Sequence, residues 1–260
     1  MELATITHSP DGAETAPPLV VAHGLFGSGR NFNTLGRKLA QGRRVILVDM
    51  RNHGESPWDA DVSYAAMADD LARVVQGAGG RAVVLGHSMG GKATMALALT
   101  RPELLAGVVV ADIAPVTYGH THQPFIEGML AMDLSLVAKR SDADPLLAGT
   151  VENPMLRSFL LQNLVIEDGR ARWRLNLEAL RDGMPDLIGW PADLDAVYEG
   201  PSLFIYGGAS EYMDAGTESH VRGLFPAADF SDIPGAGHWL HAEQPVEFLG
   251  AVQTWLGRLT

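Results

Sequence analysis

The sequence predicts an α/β protein with a mostly parallel central sheet and helices on both faces of that sheet. Short runs rich in valine, isoleucine and leucine alternate along the chain with longer segments of helical periodicity. The runs are apolar without a polar residue at every second position, which is typical of strands covered on both faces. Because helical segments separate successive runs, the strands are expected to lie parallel.

Six apolar runs are interpreted as the strands of this sheet. They cover residues 19–22, 44–49, 82–85, 108–111, 202–206 and 228–233. Three helical segments are predicted over residues 64–75, 92–100 and 245–259. In the first of these, the apolar residues repeat at the spacing of one buried helical face.

The alternation of strand and helix stops between residues 116 and 199. That stretch predicts helices over 125–139, 145–151, 155–165 and 175–183, with no strand between them. We therefore divide the chain into an α/β core, residues 1–115 and 200–260, and an inserted helical cap, residues 116–199. A cap over the carboxyl edge of the sheet would shape a pocket and exclude water from it.

Composition excludes several classes of function. The 260 residues include 19 Lys and Arg against 31 Asp and Glu, a net charge of −12, and no cysteine. A chain this acidic is a poor partner for nucleic acid or an anionic membrane, and it can form neither a disulfide nor a thiolate metal site. His120 and His122 lack an evident third ligand, so we expect no metal and no cofactor. Without a signal peptide or a long apolar run, a cytoplasmic protein is expected.

The sharpest local motif is Gly-His-Ser-Met-Gly at residues 86–90, between a predicted strand and a predicted helix. In this context the turn is so tight that the serine hydroxyl projects at the sheet edge, next to a helix N-terminus that favours negative charge. We predict that Ser88 is a nucleophile. The alternative is a glycine-rich turn that contains an incidental serine.

A serine nucleophile needs a base and an acid. His238, in the Gly-Ala-Gly-His-Trp stretch after the last predicted strand, is the best-placed base. Asp112 and Glu211 each follow a strand and are both candidates for the acid. We favour Asp112, because a carboxylate in so apolar a run requires a partner, and keep Glu211 as the alternative.

Ester chemistry also needs backbone donors for the oxyanion. The N–H of Met89, directly after the serine, is one candidate. The N–H of Leu25, with Phe26 next, is the candidate from the loop after the first apolar run. The side chains of Leu25, Phe26 and Trp239 are expected to line the substrate pocket, although ordinary packing is an alternative for each.

Together these motifs resemble the α/β-hydrolase superfamily over nearly the whole chain. In detail, the sequences of residues 23–28, 48–54, 86–92 and 112–115 are similar to motifs of the YbfF-type bacterial esterases and their mitochondrial abhydrolase relatives. The resemblance implies an α/β-hydrolase fold and a serine esterase or thioesterase that hydrolyses small acyl esters, in some members acyl-coenzyme A. It implies Ser88 as nucleophile, His238 as base and Asp112 as acid, whereas the family lacks an acid where this chain has Glu211.

Other interpretations remain open at this point. The same machinery can hydrolyse carbon–carbon bonds or form peracids, and the fold can also serve as a non-catalytic ligand-binding module. Arg170, Arg172, Trp173 and Arg174 suggest a basic patch that steers a charged thioester. The alternative for that patch is a set of solvated surface charges.

Overall fold

A computed structural model describes residues 1–259 of the chain. Its strands are β1 (Thr5–His8), β2 (Leu19–Ala22), β3 (Val45–Val48), β4 (Ala82–His87), β5 (Leu105–Ala111), β6 (Leu164–Glu167), β7 (Arg170–Trp173), β8 (Ser202–Gly207) and β9 (Ala228–Ile233). Seven of the described strands form one sheet in the order β1-β3-β2-β4-β5-β8-β9. Only β1 runs antiparallel to its neighbour in this sheet. The predicted α/β class with a mostly parallel sheet is confirmed.

Helices cover both faces of the sheet. Over the described residues they are α1 (Asn33–Leu39), α2 (Tyr64–Gly77), α3 (Met89–Thr100), α4 (Gln123–Leu130), α5 (Arg140–Leu147), α6 (Pro154–Leu160), α7 (Leu177–Asp182), α8 (Met184–Ile188), α9 (Ala215–Leu224), α10 (Leu240–Glu243) and α11 (Pro245–Leu256). Along each central strand, every second side chain packs with α2 and α3 on one face of the sheet. The side chains between them pack with α1 and α11 on the other face. This double coverage is why the strands read as continuous apolar runs.

One strand of the sheet was not predicted. In β1, the residues Thr5 to His8 alternate between exposed and half-buried positions, as expected for an edge strand. The strand pairs with β3 along one side. Because its side chains are not fully buried, its sequence contains no apolar run that would reveal it. The short helix α1 and the exposed helix α9 were also missing from the sequence prediction.

The 116–199 segment differs from the expected all-helical insertion. The predicted helix 155–165 ends at Leu160, and β6 and β7 form an antiparallel hairpin where no strand was predicted. The hairpin turns at Asp168 and Gly169, which both have positive φ values of 50° and 73°. An Asp-Gly pair between short strand-forming runs is the usual signal for such a turn. The prediction of uninterrupted helices was therefore wrong here.

The sheet gathers the candidate site at one edge. Strands β2, β4, β5, β8 and β9 are parallel, so the loops after their carboxyl ends meet there. These loops carry, in order, Leu25, Ser88, Asp112, the 210–212 stretch and His238. Within the described part of the chain, no helix combines the length and hydropathy that a bilayer crossing requires.

Candidate active site

The turn between β4 and α3 holds Ser88 in a strained conformation. Its φ of 52° and ψ of −117° lie outside the regions that side-chain-bearing residues usually adopt. A Cβ on Gly86 would overlap the Gly90 carbonyl oxygen, and one on Gly90 would overlap the backbone of Ala22. Only glycine fits at either position, so the motif is required by the close approach of strand, turn and helix.

His238 connects Ser88 to Asp112. Its Nε2 lies 3.0 Å from Ser88 Oγ, and its Nδ1 lies 2.6 Å from Asp112 Oδ2. Because an ionised carboxylate only accepts hydrogen bonds, Nδ1 carries the proton and Nε2 is free to accept one from the serine hydroxyl. The geometry is that of a nucleophile, a base and an orienting acid.

The surroundings of Asp112 support a buried carboxylate. Its residue is 1% exposed. Oδ1 accepts the backbone N–H of Gly207 at 2.9 Å, and Oδ2 accepts the Ser210 hydroxyl at 2.5 Å as well as His238. The alternative acid, Glu211, is exposed to solvent. Of the two carboxylates that the sequence left open, the structure thus places Asp112 against the imidazole.

The loop that carries Glu211 contributes two contacts that sequence reasoning missed. Ser210 donates to Asp112, and the ring of Tyr212 stacks on His238 with centroids 3.9 Å apart and planes tilted by 19°. Tyr212 is itself held, because its hydroxyl pairs with His120 Nε2 at 2.7 Å and its carbonyl accepts the Tyr118 hydroxyl at 2.8 Å. The available signal was a Ser-x-Tyr sequence in the loop where an acid was sought.

The loop after β2 carries Leu25, one of the two residues whose backbone N–H groups are predicted to bind an oxyanion. Leu25 is half-buried and lines the same cavity as Ser88 and Met89. Phe26 is unsuitable, because its N–H already donates to His53 Nε2 at 3.2 Å. Its φ of 63° turns the chain at this point, and its side chain is only 5% exposed. Phe26, the second choice after Leu25 in this loop, therefore has no free N–H to offer, and Leu25 and Met89 stay the predicted donors.

Two buried histidines hold this loop in place. Nδ1 of His53 donates to the Arg51 carbonyl at 2.8 Å, which leaves Nε2 to accept the Phe26 N–H. His23 makes the corresponding contacts: its Nδ1 donates to the Gly24 carbonyl, and its Nε2 accepts the Met50 N–H at 2.9 Å. Desolvation lowers the pKa of His23 to about 4 and that of His53 to about 3. Both rings are therefore neutral at neutral pH, as their contacts require.

A cavity opens beside Ser88, with about 360 Å³ of empty space when the solvent at its opening is included. It is lined by Leu25, Tyr64, Ser88, Met89, Lys92, Ile113, Tyr118, His120, His122, Leu187, Ile188 and Tyr212. The expected pocket wall Leu25 is among these residues, whereas Phe26 is packed in the core, because the loop turns its ring inward. Trp239 lies outside the cavity, at its 36% exposed position between the rings of His238 and Phe159.

The predicted basic patch is largely neutralised by neighbouring acids. Arg172 pairs with Glu167 at 3.1 Å, and Arg174 pairs with Glu55 at 3.3 Å. The indole of Trp173 is buried and donates to a backbone carbonyl of the 116–199 segment. Arg170 is exposed to solvent, whereas the hairpin directs Arg172 and Arg174 to separate acidic partners.

His120 and His122 both line the cavity, with ring centroids 5.4 Å apart. Across residues 1–259, no group of three or more His, Asp or Glu side chains is arranged to hold a metal ion.

Known proteins match this chain over most of its length. A family profile described as the alpha/beta hydrolase fold matches residues 17–245. The sn-1-specific diacylglycerol lipase ABHD11 of Mus musculus is 43% identical over 255 residues, which cover 95% of this chain and 83% of the mouse protein. Esterase YbfF of Escherichia coli K12 is 38% identical over 241 residues, 92% of each chain.

A solved structure gives the same result for the fold. The structure of a marine microorganism esterase superposes with a TM-score of 0.91 at 33% identity and covers 98% of this chain and 99% of its own. The profile and these relatives match nearly the whole chain, so the resemblance noted in the motifs is confirmed: this protein is a member of the α/β-hydrolase family.

Proposed function

We propose that the protein is a serine carboxylic ester hydrolase that cleaves small acyl esters or thioesters through an acyl-enzyme intermediate. The observation that carries the proposal is the continuous hydrogen-bonded line from Ser88 through His238 to the buried Asp112. The relatives named as an esterase and a diacylglycerol lipase, at 38–43% identity over most of the chain, support ester hydrolysis as the reaction.

The first half-reaction transfers the acyl group to the enzyme. Ser88 Oγ forms a bond to the ester carbonyl carbon while its proton moves to His238 Nε2, and the carbonyl electrons shift onto oxygen. The backbone N–H groups of Leu25 and Met89 stabilise this oxyanion. As the intermediate collapses, the bond to the leaving group breaks, and the alcohol or thiol takes the proton from Nε2.

The second half-reaction releases the acid. Water attacks the acyl-enzyme carbonyl, and its proton passes to His238 Nε2. Collapse breaks the bond to Ser88 Oγ, which regains a proton from the imidazole. Throughout both steps Asp112 keeps the Nδ1 proton in place and stabilises the imidazolium that forms, while Ser210 and Gly207 hold its carboxylate.

The 116–199 segment acts in this proposal as a cap on the core formed by residues 1–115 and 200–260. It contributes Tyr118, His120, His122, Leu187 and Ile188 to the cavity. These residues shield the acyl-enzyme from bulk water. Little free space remains between the side chains that line the cavity, which suits a short acyl group rather than a long aliphatic chain.

The test is hydrolysis of graded 4-nitrophenyl esters and acyl-coenzyme A thioesters by the wild type and two pairs of variants. We expect a short-chain optimum in the wild type, loss of turnover and of fluorophosphonate labelling in Ser88→Ala, and loss of turnover in His238→Ala. Ser135→Ala and His220→Ala, which change exposed residues, should behave as the wild type. The proposal would be overturned if the wild type hydrolysed no ester or thioester, or if the Ser88→Ala variant remained active.

A further inference from the structure

The cavity beside Ser88 contains a buried lysine. Lys92 lies on the first turn of α3, where its N–H donates to the Ser88 carbonyl at 3.0 Å. Both side chains line the cavity. Lys92 is only 1% exposed, which is rare for a lysine without a carboxylate partner.

The contacts of Lys92 leave its charge uncompensated. Its Nζ donates to the carbonyls of Ile188, at 2.9 Å, and Gly189, at 2.5 Å, at the carboxyl end of α8. It also lies 4.9 Å from the ring centroid of Tyr118 and 5.7 Å from that of Tyr64. Carbonyls and rings solvate an ammonium group but carry no formal negative charge. Among the salt bridges of residues 1–259, none involves Lys92.

The cavity has no other formal charge along its described lining. That lining includes no aspartate, glutamate or arginine. Desolvation keeps His122 neutral by lowering its pKa to about 4, and also lowers the pKa of His120. An ammonium group has three N–H donors, and the two carbonyls use two of them. One donor of Lys92 therefore remains for a molecule that enters the cavity.

The substrate part that reaches Lys92 is the acyl group. The leaving group takes a proton from His238 and so must lie beside that ring. His238 is not one of the residues that line this cavity in the described chain. The acyl group, attached to Ser88, is the part that extends along α3 towards Lys92.

We infer that the acyl group of the substrate carries a carboxylate, which Lys92 binds inside this cavity. The preferred substrates are then monoesters or monothioesters of short dicarboxylic acids. The inference rests on the proposed ester hydrolysis and adds the chemical class of the acyl group. A carboxylate there would supply the counter-charge that the lining lacks and would form a charge-assisted hydrogen bond with the ammonium group.

Matched substrates test this directly. The monoethyl esters of succinic, glutaric and adipic acid are compared with the ethyl esters of the corresponding ω-amides, which have the same shape without the charge. Ethanol release gives kcat/KM for each. For at least one chain length we expect the wild type to prefer the acid by roughly tenfold to a hundredfold, as a charged hydrogen bond would provide. Lys92→Met should abolish that preference, and Lys38→Met, at an exposed position of α1, should retain it.

Three results would overturn the inference. One is a wild type that hydrolyses the amide esters as well as the acids. Another is an equal loss with both substrates in a folded Lys92→Met, which would show that Lys92 only holds the end of α8. If neither series is hydrolysed by the wild type, while other esters are, the inference also fails and ester hydrolysis stands.

A wild-type pH series keeps the test decisive if Lys92→Met does not fold. Burial lowers the pKa of Lys92 to about 7 in the free protein. The titratable groups that face it are the hydroxyls of Tyr64 and Tyr118, whose pKa values are raised by burial, and His120 and His122, whose pKa values are lowered by burial. The ratio of kcat/KM for acid over amide should therefore fall as Lys92 loses its proton above pH 7. A ratio that stays flat between about pH 6 and about pH 9 contradicts the inference.

Discussion

Replacing Asp112 with asparagine changes one atom of the candidate site and tests its assignment. Asp112 Oδ2 accepts two hydrogen bonds, from Ser210 Oγ at 2.5 Å and His238 Nδ1 at 2.6 Å, while Oδ1 accepts the Gly207 N–H. If the asparagine oxygen keeps the contact with Gly207, its NH₂ group points at His238 Nδ1. The imidazole must then carry its proton on Nε2, where it can no longer accept one from Ser88. If the amide is turned around, its NH₂ group opposes the Gly207 N–H.

Either orientation leaves the base in the wrong tautomer or a buried donor unpaired. The corresponding replacement in a serine protease triad lowers kcat by about 10⁴-fold. We expect a loss of roughly 10³- to 10⁴-fold in kcat for Asp112→Asn, equivalent to about 4 to 5.5 kcal/mol of transition-state stabilisation. KM for a neutral ester should change little, because Asp112 is buried behind His238 and does not line the cavity.

The assay is steady-state hydrolysis of a short 4-nitrophenyl ester, with Glu211→Gln as the matched control. Glu211 is exposed, so its variant should stay within about twofold of the wild type. Circular dichroism and thermal unfolding establish that both variants are folded. If Glu211→Gln loses activity and a folded Asp112→Asn retains it, the assignment of the acid is refuted.

Three further outcomes are expected. Tyr212→Leu removes the ring stacked at 3.9 Å on His238 and should lower kcat about tenfold and displace the pH profile of kcat, whereas Tyr212→Phe keeps the ring and most of the activity. Equal kcat values and pH profiles for the two variants would contradict this role. Burial lowers the pKa of His23 from 6.5 to about 4, so the unfolded chain binds its proton first and stability is lost as pH falls. Urea unfolding should show that this residue lowers the free energy of unfolding by about 3 kcal/mol between pH 6.5 and pH 4. The prediction is disproved if the free energy of unfolding of a His23→Gln variant depends on pH as steeply as that of the wild type. Gly90→Ala should lower the free energy of unfolding by more than about 2 kcal/mol, because its Cβ meets the backbone of Ala22 and His23. Gly250→Ala, with open space on α11, should raise it by roughly 0.5–1 kcal/mol. Thermal or urea unfolding of both variants tests this, and equal effects would contradict the packing.

The sheet was predictable because most of its strands are buried on both faces. Such strands are apolar throughout, and β2, β3, β4 and β5 lie where the apolar runs placed them, with bounds that differ by a few residues at most. The edge strand β1 and the hairpin of β6 and β7 have exposed faces, so their sequences look like loop or helix. Their identity depends on pairing partners that local patterns do not reveal.

The sequence by itself determined the α/β class, the serine turn and the histidine after the last strand. Each of these depends on local constraints: runs that are apolar throughout, glycines required by a close approach, and motif positions at strand ends. Only the tertiary structure placed Asp112, and not Glu211, against His238, paired the Phe26 N–H with His53, and placed Tyr212 on His238 and Lys92 in the cavity. Those outcomes depend on distances between residues that are far apart in the chain, and such distances are set by the packing of the whole sheet and not by the residues next to each motif.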